Sequence, residues 1–470
     1  MVRYSMRKKF HNSVIILLLL HGTHASAGQI APPLLQSIAL QSSTSMMPVM
    51  VRMAERPALS MTGEGEDRDG RTSRSREVIE LCRQTAMRSQ RNIIELIRRE
   101  QARGRVSRYK PLWICNGIAM KAVPGVIRAV AAREDVEMVL EDYPLPVPSF
   151  LPAEPHQSDA LYTWNIEKVR APEVWEKGYD GAGVVVGIFD TGVDGTHPDL
   201  AEKFRGGTNS WLDPHGEHDV PVDAAGSVTG HGTHVAGIIL GGDESGTHIG
   251  VAPGAQWIAA RIWNDAGDAA LSSDVHGIFQ WFMDPDGNPE TDDAPDVVNC
   301  SWGFTLLDAF PWCLEELRDD IKAWKQAGII PVFSAGNAGP RFFSGESPGN
   351  YPETIAVGAT TPLDTVASFS SRGPGNCDRK IFPDMAAPGL AVVSSAPRGL
   401  YAAISGTSQA APHVTGIIAL MIDARPDLSV DEVESVLKKT ARRISIMHPN
   451  FSSGWGRVDA LKAVNALLPR

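Results

Sequence analysis

The chain has 470 residues, with 44 Lys and Arg against 55 Asp and Glu and a formal charge of −11. At 43% hydrophobic and 21% charged residues it has the balance of a soluble globular protein, and its length points to two or three folded units. The charge is uneven: residues 1–150 hold 22 basic and 14 acidic side chains, net +8, which leaves −19 on residues 151–470. Parts of opposite sign attract, although two unrelated surface compositions fit the counts as well, and the acidic part lacks the clustered Lys and Arg of a phosphate-binding surface, which excludes nucleic acid as a partner.

Arg3, Arg7, Lys8 and Lys9 precede the apolar run Val14 to Leu20, and Ala25-Ser26-Ala27 supplies small residues for cleavage. This is the layout of a secretion signal over residues 1–27. The run is too short to span a bilayer, and no later segment reaches the roughly 20 apolar residues that spanning needs. An extracellular product with no membrane partner, a monomer, is expected.

Residues 28–75 mix Met, Ser, Gly, Glu and Arg without a sustained period, which predicts a flexible linker. In residues 76–147, Val78, Ile79, Leu81 and Cys82, then Ile93, Ile94, Leu96 and Ile97, have helical spacing, and short apolar runs follow. A small α+β domain fits. Pro144, Pro146, Pro148 and Pro152 mark an extended stretch, and residues 148–163 are predicted to be a connector open to cleavage.

From Trp164 to the end, apolar runs of strand length alternate with helix-length segments. The strands are predicted at Val184 to Phe189, Trp257 to Ile262, Val297 to Trp302, Ile329 to Ser334 and Ile355 to Val357. Helices are predicted at His231 to Leu240, Ser273 to Phe282 and Leu314 to Lys325. Short buried strands alternating with helices imply an α/β fold with a mostly parallel sheet covered on both faces, whose ligands bind at the carboxyl ends of the strands. Of five cysteines, Cys82 and Cys115 lie in the N-terminal part and Cys300, Cys313 and Cys377 in the rest. An exported chain permits disulfides, an odd count leaves one thiol over, and a bridge among the last three is expected without a choice of pair.

Three residues sit where chemistry is possible. Asp190 ends the strand VVVGIF, although a lone aspartate there is more often a turn former or helix cap. His231 opens HGTHVAG, where a turn passes into a helix. His231 and His234 at i and i+3 invite a metal reading, but the helical zinc motif spaces its histidines at i and i+4 around a Glu, and that Glu is missing. The same tetrapeptide, HGTH, recurs at His21 to His24 inside the signal region, so it proves nothing alone. Ser408 lies in SGTSQAAPHVTG, where Gly406 suits a tight turn and an apolar helix begins, which exposes the hydroxyl beside a helix N-terminus; a plain serine N-cap is the alternative.

Taken together, in the order Asp, His, Ser, these segments resemble the subtilase family. FDTGVDGTHPDL, HGTHVAGIILG, FSAGNAGP, SFSSRGP and GTSQAAPHVTG carry the resemblance from about Trp164 to Leu467. WNIEKVRAPEVW, PVFSAGNAGP and SPGNYPETIAVGAT are similar to bacillopeptidase F-like members. The resemblance implies a subtilisin-like three-layer fold over 164–470 and a serine endopeptidase acting on polypeptides through an acyl-enzyme. Asp190, His231 and Ser408 would be its triad and Asn337 its oxyanion donor. Gln409 stands where Met is usual.

Pro124 to Arg133 with Val136 to Val139 resembles the inhibitory propeptide of such enzymes, which implies a precursor whose 76–147 domain aids folding and blocks the cleft in cis until it is cut. Ser301, Trp302 and Gly303 match the substrate-binding strand, and Ser334, Ala335 and Gly336 one wall of the S1 pocket. Trp302, where Leu is common, either narrows the apolar subsites or packs in the core. Glu346 falls near the pocket's base by the same resemblance and would favour Lys or Arg at P1; a solvated loop Glu is the alternative. The chemistry needs no cofactor. Structural calcium occurs in the family, but Gly241 to His248 does not reproduce its Asn-rich calcium segment, so no metal is assigned.

Overall fold

The computed structural model describes residues 28–59, 68–144, 154–155, 160–226, 230–304, 313–377 and 381–469. The expected secretion signal, and Pro146, Pro148 and Pro152, lie outside them.

Residues 28–59 and 68–144 build one α+β unit, which corrects the expectation of a flexible linker for the described part of 28–75. Pro32–Leu40 is a helix with proline in its first turn, where the missing N–H costs nothing. Met47–Met53 is the middle strand of a five-stranded sheet, ordered Gln29–Ile30, Val136–Glu141, Met47–Met53, Gly117–Ala122, Val106–Leu112. That strand is covered on both faces: Val49 and Val51 lie in the small unit's own core, while Met50 joins a cluster shared with the rest of the chain. A doubly covered strand loses polar alternation, and this one reads as a Met-rich run rather than a strand. The two apolar patches of 78–97 belong to a single helix, Arg68–Ala102.

The larger unit is built on a seven-stranded sheet, ordered Met385–Pro388, Ile355–Thr360, Ile330–Ser334, Val297–Cys300, Val185–Asp190, Gln256–Arg261, Trp211–Leu212. Every neighbouring pair in it is parallel. Successive residues alternate between two layers, as strand geometry demands. Val186, Ile188, Trp257 and Ala259 face one core with the helices His231–Leu240 and Thr407–Ala424, while Val185, Phe189, Ile258 and Ala260 face another with Ser272–Met283 and Arg318–Gln326. The last of these helices starts four residues later than predicted, because Cys313 is bonded to Cys377 and the Leu314 N–H is held by Ser347 Oγ at 3.2 Å. Cys82, Cys115 and Cys300 are buried free thiols.

The second core crosses from one unit to the other. Met50, Val78, Ile79, Leu112 and Ile114 of the small unit are buried together with Val275, Ile278, Phe279, Ile321 and Trp324 of the large one. Around them basic residues of the small unit meet acidic residues of the large one: Arg71 with Asp296, Arg83 with Asp284, Arg76 with Glu290 at 2.9 Å and Arg56 with Asp319 at 3.1 Å. A buried aliphatic or aromatic side chain contributes about 1.5–3 kcal/mol, against about 0–1 kcal/mol for an exposed ion pair. Apolar burial therefore outweighs the exposed pairs Arg76–Glu290 and Arg56–Asp319 at this junction, where the opposite charges seen in sequence meet.

The Cys313–Cys377 bridge closes a 64-residue separation, for which chain entropy gives about 4 kcal/mol. Cys313→Ser is expected to lower the melting temperature of the Ser408→Ala chain clearly, and an unchanged melt would show that the bridge does not constrain the fold.

Candidate active site

Strand Val185–Asp190 delivers the Asp190 carboxylate to the carboxyl edge of the sheet. Its Oδ1 accepts the Thr191 N–H at 2.8 Å and the His231 Nδ1–H at 2.7 Å. A carboxylate has no proton to give, so Nδ1 must carry one, and the neutral ring keeps its lone pair on Nε2. His231 opens its helix, and Gly232 lets that helix press onto the loop after Asp190: a Cβ there would stand 2.0 Å from the Gly192 carbonyl oxygen.

Sequence reading missed what anchors this arrangement. Asp223, fully buried, accepts the Gly230 N–H (2.9 Å) and Thr191 Oγ1–H (2.9 Å) on Oδ1, and the Thr233 N–H (2.8 Å) and hydroxyl (2.6 Å) on Oδ2. It thus caps the His231 helix and ties it to the Asp190 loop. Burial pushes its carboxyl pKa up, against the hydrogen bonds that pull it down. No local motif marks it, since its partners come from two separate segments. His234 faces away from this site: its Nε2–H points at the carbonyls of Val392 and Ala402, and burial lowers its pKa to about 3, so it is an uncharged structural donor.

Ser408 lies in the first turn of Thr407–Ala424, a helix packed against the His231 helix. Gly406 before it is extended (φ 160°) rather than the tight turn expected from sequence. Gln409 is buried beside it. Pro412 lies four residues after the serine and has no N–H, so the Ser408 carbonyl loses its helical partner. Ser301 replaces it: its hydroxyl donates to the Ser408 carbonyl at 2.8 Å, while Ser408 Oγ donates to the Ser301 carbonyl at 3.0 Å. The serine is thereby held to the end of strand Val297–Cys300 from both sides.

Asn337 follows strand Ile330–Ser334. Its Oδ1 accepts the Thr407 N–H at 2.9 Å and the Thr407 hydroxyl at 3.0 Å. Both donors require the oxygen on that side, so the amide orientation is fixed and Nδ2–H₂ faces the other way. With the first-turn N–H of Ser408, which no helical carbonyl takes, this gives two donors that each lie 3.6 Å from where a Cβ on Gly406 would stand.

The candidate pocket residues also meet. Gly303 and Gly336 both flank Glu346: a Cβ on Gly303 would be 2.9 Å from Glu346 Cβ, and one on Gly336 2.5 Å from its Cδ. Ala335 joins this wall by accepting the Glu346 N–H at 3.3 Å, and Ser334, buried, ends the strand just before it. The Glu346 carboxylate accepts the Asn337 backbone N–H, and burial raises its pKa to about 7. Trp302 is resolved in favour of the core. It is 2% exposed, donates Nε1–H to the Phe189 carbonyl at 2.8 Å and stacks edge-on with Phe189 and Phe333. Its side chain therefore does not narrow a subsite; an indole in this position fills the layer under the sheet.

The sequence pattern of the Subtilase family matches residues 181–456, a span that contains every one of these groups. The chain belongs to the subtilase family. It is 36% identical over 421 residues to bacillopeptidase F of Bacillus subtilis (strain 168), covering 83% of this chain and 28% of that protein. It is 34% identical over 287 residues to the subtilisin-like protease PopC of Myxococcus xanthus (strain DK1622), covering 58% of each. Subtilisin E of Bacillus subtilis (strain 168) is 32% identical over 315 residues, 66% of this chain and 72% of that one. The chain thus spans 28% and 58% of the first two relatives, less than two thirds of each. Among the described residues no helix is long and apolar enough to cross a membrane.

The exchange between Ser301 and Pro412 is testable within this subtilase site. Ser301→Ala strands a buried carbonyl and is expected to destabilise the Ser408→Ala chain by about 1–3 kcal/mol in urea melts. Adding Pro412→Ala restores an N–H four residues on and should recover part of that loss. Equal losses with and without Pro412→Ala would contradict the assignment.

Proposed function

We propose that the chain is an exported serine endopeptidase made as a latent precursor, with Asp190, His231 and Ser408 as its triad and Asn337 as oxyanion donor. The observation that carries this is the Asp190–His231 contact at 2.7 Å, beside a serine whose helix packs on the histidine's own. In the reaction Ser408 Oγ attacks the peptide carbonyl while His231 Nε2 takes its proton. The tetrahedral oxyanion accepts from Asn337 Nδ2–H and the Ser408 N–H, donors that strengthen as charge develops. Collapse expels the amine, protonated by His231, and water then releases the acyl group by the reverse sequence. Asp190 keeps the ring in the required tautomer and stabilises the imidazolium. Each role falls on a group of the chain itself, and no cofactor is invoked.

The substrate is an extended polypeptide paired along the backbone of Ser301 to Gly303. Residues 28–144 act as the inhibitor and folding aid in cis. The way they leave the small unit supports this: the Tyr143 carbonyl accepts the Ser272 N–H at 2.9 Å, and Pro144 bridges Leu271 beside the large unit's sheet. The maturation cut lies between Tyr143 and Trp164. In medium containing the secreted wild type, N-terminal sequencing is expected to find a start in that interval, while Ser408→Ala keeps residues 28–144. A wild type that never loses them, or a variant that loses them equally fast, would overturn autocatalytic maturation.

Glu346 makes the pocket selective for Lys or Arg at P1. Its raised pKa sets the sign of the pH dependence: the carboxyl is neutral below about 7 and charged above it, so attraction to a basic P1 side chain grows as pH rises. The ratio of kcat/KM for P1-Arg over P1-Phe peptides, in which pH effects common to both substrates cancel, should rise between pH 6 and 8. Glu346→Gln should flatten that profile and lower the Arg advantage about tenfold or more. A ratio independent of pH and of this substitution would remove Glu346 from specificity.

A further inference from the structure

Between the two units, away from the triad, lies a group of donors that the proteolytic chemistry does not use. Cys115 sits in the turn joining strands Val106–Leu112 and Gly117–Ala122 of the small unit. His276 and Asp320 project from the helices Ser272–Met283 and Arg318–Gln326 of the large one. All three are buried, and one donor atom from each lies within 4.8 Å of the other two. His276 Nδ1 is 2.8 Å from Asp320 Oδ2, and the ring is also in hydrogen-bond contact with the Cys115 thiol.

Two carboxylate oxygens at this place lack a protein partner. Asp320 is fully buried, yet its Oδ1 has no hydrogen-bond partner among the described residues. Glu316 accepts the Tyr143 hydroxyl on Oε2 at 2.6 Å, while its buried Oε1 has no such partner and lies 4.0 Å from His276 Nε2. Orphaned buried oxygens are costly and uncommon; the Asp320 carboxylate is grouped with both the thiol and the imidazole, and the Glu316 oxygen lies on the other side of the ring. A cavity of about 220 Å³, lined by Cys115, Ile114, Asp319 and Lys322, opens beside the thiol and supplies a way in.

We propose that Cys115, His276 and Asp320 form a three-residue binding site for a divalent thiophilic metal ion such as Zn²⁺ that bridges the N-terminal unit to the catalytic unit. Thiolate, imidazole and carboxylate form a donor set that suits zinc and not calcium or magnesium, which take oxygen ligands. Binding displaces the Cys115 thiol proton and any second imidazole proton to solvent, and the metal's two positive charges balance the thiolate and a carboxylate. One donor comes from the unit that is cut away and the others from the unit that remains, so the ion would fasten the cleaved piece over the enzyme. That consequence rests on the precursor reading; metal binding by the intact chain does not.

The test uses the intact Ser408→Ala chain, prepared without a polyhistidine tag and dialysed against micromolar Zn²⁺. Mass-spectrometric metal analysis is expected to find about one zinc per chain, falling at least tenfold in Cys115→Ser and in His276→Gln. Because either variant could fail to fold, Co²⁺ is also added to the unsubstituted chain, where thiolate ligation gives a charge-transfer band in the near ultraviolet. Zinc below about a tenth of an equivalent, zinc retained in Cys115→Ser, or a Co²⁺ complex without that band would each overturn the site. Loss of proteolysis elsewhere would leave this result unaffected, so the two readings fail separately.

Discussion

The proposed reaction depends on one buried hydrogen bond, from His231 Nδ1–H to Asp190 Oδ1. A neutral imidazole can place its proton on either nitrogen, and only the tautomer protonated at Nδ1 leaves a base at Nε2. The fold is organised to hold that geometry. A fully parallel sheet brings the ends of separate strands to one edge, Gly232 allows the helix to close on the Asp190 loop, and Asp223 ties the two with four hydrogen bonds. Asp223 touches no reacting atom in the proposed reaction; it is a positioning residue, and its burial is tolerable because every bond it accepts favours its charged form.

The serine is held by a different device. Pro412 removes a helical hydrogen bond within two turns of the helix start, which in isolation destabilises it. Here the freed carbonyl of Ser408 becomes the acceptor for Ser301, so the helix break is converted into a cross-link between the proposed nucleophile and the strand proposed to bind substrate. The same strand end carries Trp302 into the core beneath, and Gly303 leaves room for Glu346. The position of Ser408, the room for Glu346 and the core packing are thereby set within three consecutive residues.

Legibility in the sequence followed how local each feature is. Strand-end and helix-start positions of Asp190, His231 and Ser408 could be read because an apolar run, a glycine and a helical period lie next to each of them. Strand Met47–Met53 could not, since burial on both faces by two different units erased its alternation. Asp223 and the Cys115–His276–Asp320 group are assembled from segments far apart in the chain, so no spacing announces them. The charge split was legible, but its meaning was not: ion pairs line the junction of the units, whereas a shared apolar core supplies most of the adhesion.

The most direct test of the triad is to map the site of covalent labelling by a fluorophosphonate in the secreted wild-type protein. Peptide mass spectrometry should find the adduct on Ser408 alone, and His231→Ala should suppress its formation by orders of magnitude. An adduct on another serine, or labelling undiminished without His231, would contradict the account.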